Sequence, residues 1–419
     1  MKVLMAPKNY SGQVYLLGER LRAMGQDVDQ LEYVSTDASA SMGYRSHKTV
    51  NLDPAHVIEG QLKALQDSLA ENYDIYHFWN RSMFFVGRPY EMFMGMDIAL
   101  IKARGKKVIY RFTGNDIRYP SLDKEVNPYS FYNYGYESPY DETDLRRYVE
   151  YLRAHVDQFV VQDPELQQFI PEATVVPRCL KLEDWPNVGL QNDKHPVVVH
   201  ASTNDMLKGT RFIEQAVAEL QDEGLKFRYT KVSNLMHSDA IKIYKGADIC
   251  IDNLHQGCLT VFAMECMALG KATMNYIRDD LYKPAYGNVP VENVNPDNIK
   301  DKLRLLITDL EHRKELSIQG RHFIETHFDV KNVAEQLLKV YHEVADRSGP
   351  QRTDGPWFRR FRLPRRTNPA TQKYVTNGQL PTPRTQNSRQ REPRIETQNR
   401  YEFRKARLGE HLFKRALIP

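Results

Sequence analysis

Cysteine is scarce in this 419-residue sequence, which has only Cys179, Cys250, Cys258 and Cys266. No two of them have the C-x-x-C spacing of a zinc site or a redox motif, and that excludes both on sequence grounds. The even spacing of the last three reads as small buried hydrophobes in a reduced compartment. Long apolar runs are also missing: nothing approaches the ~20 residues that span a bilayer. The opening stretch Met1–Pro7 is too short for a secretory signal and reads as a first strand. A cytoplasmic protein is therefore expected, with room for peripheral attachment to a membrane. Internal repeats are absent, and no zinc-like or paired-aspartate signature stands out, so no metal and no cofactor is expected.

Hydrophobic residues make up 41% and charged residues 27%, the balance of a soluble globular chain. The length exceeds one compact core and fits two domains with extras. The net charge of +4 hides an asymmetry. Of 58 Lys/Arg and 54 Asp/Glu, 17 and 5 fall in Ser348–Pro419, a net of +12. The 41 and 49 that remain give Met1–Arg347 a net of −8. The tail is rich in Pro, Arg, Gln, Asn and Thr and cannot bury enough apolar surface to offset its ordering entropy, so it is expected to be disordered. It carries two basic aromatic clusters. One is Trp357-Phe358-Arg359-Arg360-Phe361-Arg362; the other is Tyr401–Ile418, which reads as an amphipathic helix for an anionic membrane surface or an acidic partner. A nucleic-acid arm is allowed by the same charge, but nothing in the acidic body supports a groove for one.

The body alternates strand-like and helical segments. Lys2–Ala6, Asp74–Trp79, Lys107–Phe112 and Gln158–Val161 read as strands, and Tyr15–Met24 as a helix. Pro177–Asn187 reads as a connector. The alternation then restarts with a strand at Pro196–His200, a helix at Thr210–Leu220, a strand at Phe227–Val232, a helix at Asp239–Tyr244 and a strand at Ala247–Ile251. A helix at Val261–Leu269 and a strand at Ala272–Tyr276 follow, and helices at Asp301–Leu310 and Lys331–Ala345 close the body. Two parallel-sheet α/β domains are the reading. Tyr119–Arg146 breaks the pattern and reads as a long loop. Its tyrosines suit stacking on a sugar or base, or covering of an apolar face.

In open parallel sheets ligands bind outside the carboxyl ends of the strands. Three segments of the second domain fall there. His200–Thr210 contains Lys208-Gly209 at a helix start, a diphosphate cradle by its free N–H groups, its glycine and its positive charge. Ala247–Gly257 ends a strand in a polar turn, where Asp252 reads as a cap or turn residue. Phe262–Lys271 places Glu265 in an otherwise apolar run; a carboxylate there needs partners, and a ribose diol suits it.

These three segments, in this order, resemble the donor domain of GT-B glycosyltransferases of the family 4 kind. The Lys-Gly after the first strand of the domain matches Lys208-Gly209, and the Glu-x-x-x-x-Gly run matches Glu265 to Gly270. Gly320–Asp329 and the helix after it look like the family's C-terminal signature. Asn9-Tyr10-Ser11-Gly12 and Thr113–Arg118 are similar to its first-domain cleft segments. The resemblance covers about residues 1–345, and the tail has no counterpart.

The resemblance implies two Rossmann-like domains facing a cleft. Residues 1–178 would form the acceptor domain and 179–328 the nucleotide-sugar donor domain. Residues 329–347 would be a helix packing back on the first domain, and 348–419 the tail. It implies a glycosyltransferase moving a hexose from a nucleotide-sugar to an acceptor (glycan, lipid or protein) with retention and without a metal. Catalytic roles fall on Asp116, Arg118 and Lys208. Donor contacts fall on Gly12, Asn204, Lys208, Gly209, Gly257, Thr260 and Glu265. The chain departs from the family at several of its positions: Gly257 replaces a Glu, Thr203 an Arg, Thr113 a His and Ala272 a Pro, and Asp205 stands where it would repel phosphate. These departures carry an alternative reading, a binding or assembly protein with weakened catalysis, tethered by its basic tail.

Overall fold

The computed structural model describes residues 1–34, 45–53, 55–80, 84–85, 95–191 and 194–347. The expectations for the basic tail lie outside the described residues. The first lobe runs β1 (Lys2–Ala6), α1 (Gln13–Ala23), β2 (Asp27–Val34), β3 (Lys48–Asn51), α2 (Val57–Ala70), β4 (Ile75–Trp79), α3 (Met96–Ala103) and β5 (Lys107–Phe112). It continues with α4 (Pro120–Val126), α5 (Glu142–Arg153), β6 (Gln158–Val161), α6 (Pro164–Gln167) and β7 (Thr174–Val175). The second lobe runs β8 (Val197–Ala201), α7 (Asp205–Lys208), α8 (Thr210–Asp222), β9 (Arg228–Val232), α9 (His237–Lys245), β10 (Ile249–Ile251) and α10 (Val261–Ala268). Then come β11 (Ala272–Asn275), α11 (Asp279–Tyr286), β12 (Glu292–Asn293), α12 (Ile299–Thr308), α13 (Leu310–His327) and α14 (Val330–Asp346).

Both sheets are parallel, as the strand–helix alternation requires. The first has seven strands in the order β3-β2-β1-β4-β5-β6-β7, and the second five in the order β12-β11-β10-β8-β9. Counted within each lobe, these are the two common doubly wound orders, each with one point where the order reverses. That point lies between β1 and β4 in the first sheet and between β8 and β10 in the second.

The stretch Tyr119–Arg146, read from sequence as a loop, is largely structured. Pro120 sits in the first turn of α4, where its missing N–H costs nothing. Asp141 caps α5 by accepting from the Asp144 N–H at 3.0 Å. A short 3-10 turn, Phe131–Tyr134, lies between the two helices. Tyrosine content hid these elements because the helices are short and their buried faces narrow.

Two crossings join the lobes and hold each other. The Leu180 N–H donates to the Phe328 carbonyl at 2.8 Å, and the Val330 N–H donates to the Leu180 carbonyl at 2.9 Å. Beyond the second crossing, α14 buries Val333, Leu337, Val340, Tyr341 and Val344 in the core of the first lobe with Val3, Met5, Val14 and Leu17. That placement follows from its strongly one-sided apolar pattern, which the second lobe leaves unused. No helix among the described residues is long and apolar enough to cross a membrane.

Candidate functional site

The order reversal of the second sheet puts two loops side by side. Ser202–Gly209 follows β8, and Asp252–Thr260 follows β10 and leads into α10. Lys208, which ends α7, sends its ammonium into the space between them. There it makes an ion pair with Asp252 and lies 3.4 Å from the Thr260 hydroxyl. The Thr260 hydroxyl donates to the other oxygen of the same carboxylate. Asp252 has no exposed side-chain surface and Lys208 retains 15%. A carboxylate at that depth requires a partner. The sequence reading of Asp252 as a cap or turn residue is corrected here: it is a buried counter-ion. An acid ending a strand otherwise composed of Ile249-Cys250-Ile251 was the available signal.

Gly209 takes φ +74° as the junction of α7 and α8. A Cβ there would stand 2.9 Å from His255 Nε2 and 3.1 Å from Leu254 Cβ, so packing of the two loops as well as backbone angle calls for glycine. Asn204 caps α7, its side-chain oxygen accepting from the Met206 and Leu207 N–H groups at 3.2 Å each. Neither α8 nor α10 has a side-chain cap, and neither carries an acid in its first turn. The free N–H groups and positive dipole ends of both helices are thus left for an anion beside Lys208.

The surroundings are neutral or neutralised. His200 lies beneath α8 with Nδ1 2.8 Å from the Ile251 carbonyl and Nε2 2.8 Å from the Thr210 hydroxyl. Burial pushes its pKa down to about 4, so Nδ1–H donates to the carbonyl and Nε2 accepts. Asp205, expected to repel phosphate, is paired at 2.8 Å on the protein surface with Lys231, which also pairs with Glu214 at 3.2 Å, so the charge of Asp205 is offset in part.

Glu265, on the second turn of α10, is buried with only 5% of its side chain exposed. His237 Nε2 stands 2.8 Å from its Oε1 and supplies the partner that the sequence reading sought in a ribose. Burial raises the Glu265 pKa against the opposing pull of His237, while the hydrogen bond that His237 donates to Glu265 raises that of His237. Nothing in the sequence around His237 marks it; its role comes from the packing of α9 beside α10.

The first-lobe candidates are engaged within the protein. Gly12, at φ +70°, opens α1, and the next residue, Gln13, clamps Cys179 of the crossing with both ends of its amide, at 3.0 and 2.8 Å. Asp116 is buried and accepts from the Thr113 and Gly114 N–H groups, the nearest at 2.6 Å. Burial nevertheless moves its pKa up to about 6. Arg118 forms a bidentate pair with Glu165, at 2.9 and 2.8 Å, and reaches the Cys258 sulfur at 4.0 Å, so it touches the second-lobe loop. Glu165 had no sequence signal.

The aromatic stretch rests on the second lobe rather than standing open. Tyr134 stacks on His255 with ring centres 4.6 Å apart and meets Phe212 edge-on. The Asn127 amide donates to the His255 carbonyl at 2.8 Å, and His255 Nδ1–H donates to the Tyr129 carbonyl at 2.9 Å. Gly257 takes φ +70° in the same loop, and a Cβ there would lie 2.5 Å from Arg278 Cγ. The structure thus gathers Lys208, Gly209 and Thr260 around Asp252, with Asn204, Gly257 and Glu265 on the adjoining loops and helix. Asp116 stays in its own loop, bonded to the Thr113 and Gly114 N–H groups. Among the described residues, no group of three or more His, Cys, Asp or Glu side chains is placed to hold a metal ion.

No protein-family model matches the chain, and no curated protein matches it in sequence. Solved structures do match its fold. A sucrose-phosphate synthase from Thermosynechococcus elongatus is 13% identical over 82% of this chain and 99% of that one, with a TM-score of 0.60. HepE from Anabaena, in complex with UDP and glucose, is 12% identical over 82% and 100%, with a TM-score of 0.56. A trehalose-6-phosphate synthase is 11% identical over 81% and 98%, with a TM-score of 0.54. The fold is that of GT-B glycosyltransferases, two doubly wound lobes with a returning C-terminal helix.

Proposed function

We propose that this chain is a glycosyltransferase that takes a nucleoside diphosphate hexose in its second lobe. One observation carries the reading: Lys208 stands at the order reversal of the second sheet beside two helices whose starts have no side-chain caps. A departing diphosphate needs positive charge and oriented N–H donors in a site closed to water, and these groups supply them. The reading calls for no metal. Glu265, held by His237, would take the donor ribose. Asp116 and Arg118 would shape the first-lobe wall, Asp116 by fixing the turn at Thr113 and Arg118 by joining Glu165 to the Cys258 loop. Retention of the anomeric configuration is part of the proposal; the trehalose-6-phosphate synthase structure concerns transfer with retention, and HepE was seen with UDP and glucose. The acceptor is a glycan, a lipid or a protein.

The test is thermal stabilisation by nucleotides and nucleotide-sugars, read together with release of nucleoside diphosphate. Lys208→Ala should weaken donor binding by ~1.5–3 kcal/mol, the range for a charged hydrogen bond. Unchanged affinity in that variant would remove Lys208 from the site. A second reading, binding without efficient transfer, is favoured by Gly257: the loop is built around a residue with no Cβ, so a carboxylate at this position does not fit the present geometry. Stabilisation without diphosphate release or glycosylated product would select it.

A further inference from the structure

The residue that Lys208 touches is a carboxylate, and it is better buried than the lysine. Asp252 directly follows β10, its own N–H donates to the Met274 carbonyl at 2.9 Å, and both of its side-chain oxygens are used, one by Lys208 and one by Thr260. Two consequences follow. The ammonium that would greet an incoming phosphate is already neutralised by a group that the strand end holds in place. The Thr260 hydroxyl, drawn to Asp252, does not cap α10, although Thr260 occupies the N-cap position. Asp252 therefore withdraws a positive charge from the site and keeps a helix start open at the same time.

We propose that Asp252 is the affinity-setting residue of this site, a fixed competitor for Lys208 that limits how tightly any anionic ligand is held. The inference rests on the donor-site reading above. A nucleoside diphosphate has to win the ammonium from a carboxylate that cannot retreat into water, or bind on the helix starts while the pair stays intact. In either case the site is nearly neutral at the outset, and every anionic ligand meets the same competitor for the ammonium. Removing the carboxylate's charge releases Lys208 and adds one positive charge to the site.

The experiment is titration of the full chain and of Asp252→Asn with UDP, ADP and GDP and with their monophosphates, at two salt concentrations. Asp252→Asn should bind the diphosphates at least about tenfold more tightly, the scale of one charged hydrogen bond. The gain should shrink at high salt and disappear in Asp252→Asn combined with Lys208→Met. The diphosphates, which bring more negative charge to the freed lysine, should gain at least as much as the monophosphates. If Asp252→Asn does not fold, Asp252→Ser keeps a hydroxyl for Thr260 and carries the same expectation. Wild-type binding with equal or weaker binding by the Asp252 variants would overturn the inference and leave the donor site standing. No binding of any nucleotide by wild type or variants would overturn both.

Discussion

At the scale of single residues, the site is a set of charges that the protein has already matched. Lys208 has Asp252, Asp205 has Lys231, Arg118 has Glu165, and Glu265 has His237. The last pair has a pH signature. Its two groups are both displaced upward, His237 by the hydrogen bond it donates to Glu265 and Glu265 by burial. A folded-state pKa above the unfolded value means the folded state holds its proton longer, so the associated stability is complete at low pH and lost as pH rises. For His237 the loss begins above its ordinary value of about 6.5. His237→Gln should therefore cost ~1.5–3 kcal/mol near pH 6, the range for a hydrogen bond to a charged group, and progressively less toward pH 9. Thermal melts of both proteins across that range check it. A difference that stays constant with pH would mean that His237 acts only by packing.

At the scale of elements, sequence periodicity located most of the sheet. β1, β5 and β6 lie where alternating or apolar runs placed them, and β8 to β11 within a residue or two. β2 and the edge strand β3 beside it were not read, because Asp27, Asp29 and Glu32 in one and the short polar run of the other lack the apolar signal of a buried strand. Of the candidate site, Lys208, Gly209 and Glu265 stood out because a glycine turn and an acid in an apolar run leave marks in one dimension, whereas Thr260 came only with the family resemblance. Asp252 was visible but misjudged, and His237 and Glu165 were invisible, because their roles are contacts between distant segments. The aromatic stretch shows the same limit. Its composition left two roles open, and the structure adds that Tyr134 packs on His255 and Phe212 of the second lobe. Its polar anchor is Asn127, which donates to the His255 carbonyl and accepts from the Tyr276 hydroxyl at 3.2 Å. Asn127→Ala leaves both groups unsatisfied in a buried setting and should cost ~1–3 kcal/mol. Amide hydrogen exchange across residues 252–260 should quicken in that variant, and unchanged protection there would show that the stacking of Tyr134 alone holds the loop.

At the scale of the whole chain, charge divides the molecule where compactness does. Met1–Gln351 forms one compact unit, with the cores of both lobes inside it. All 17 basic and 5 acidic residues of the tail lie beyond Gln351 in the sequence, whereas the body is net negative. A basic segment of this charge near an anionic bilayer gains about 1 kcal/mol per Lys or Arg that reaches the surface, and the gain falls off within a Debye length. The aromatic residues beside Arg359, Arg360 and Arg362, and those of Tyr401–Ile418, add apolar contact that charge alone does not provide. The body, with its acidic excess, is repelled by the same surface, so membrane binding should depend wholly on the tail. Ending the chain at Gln351 should leave the melting temperature and nucleotide affinity of the body unchanged and abolish sedimentation with phosphatidylserine-containing vesicles. The full chain should sediment with those vesicles at low salt, release them as salt rises, and ignore vesicles of phosphatidylcholine alone. Equal vesicle binding by the two proteins would place the contact on the body. Retention of RNA rather than vesicles by the full chain, lost on the same truncation, would turn the tail into a nucleic-acid arm and separate the acceptor from any membrane.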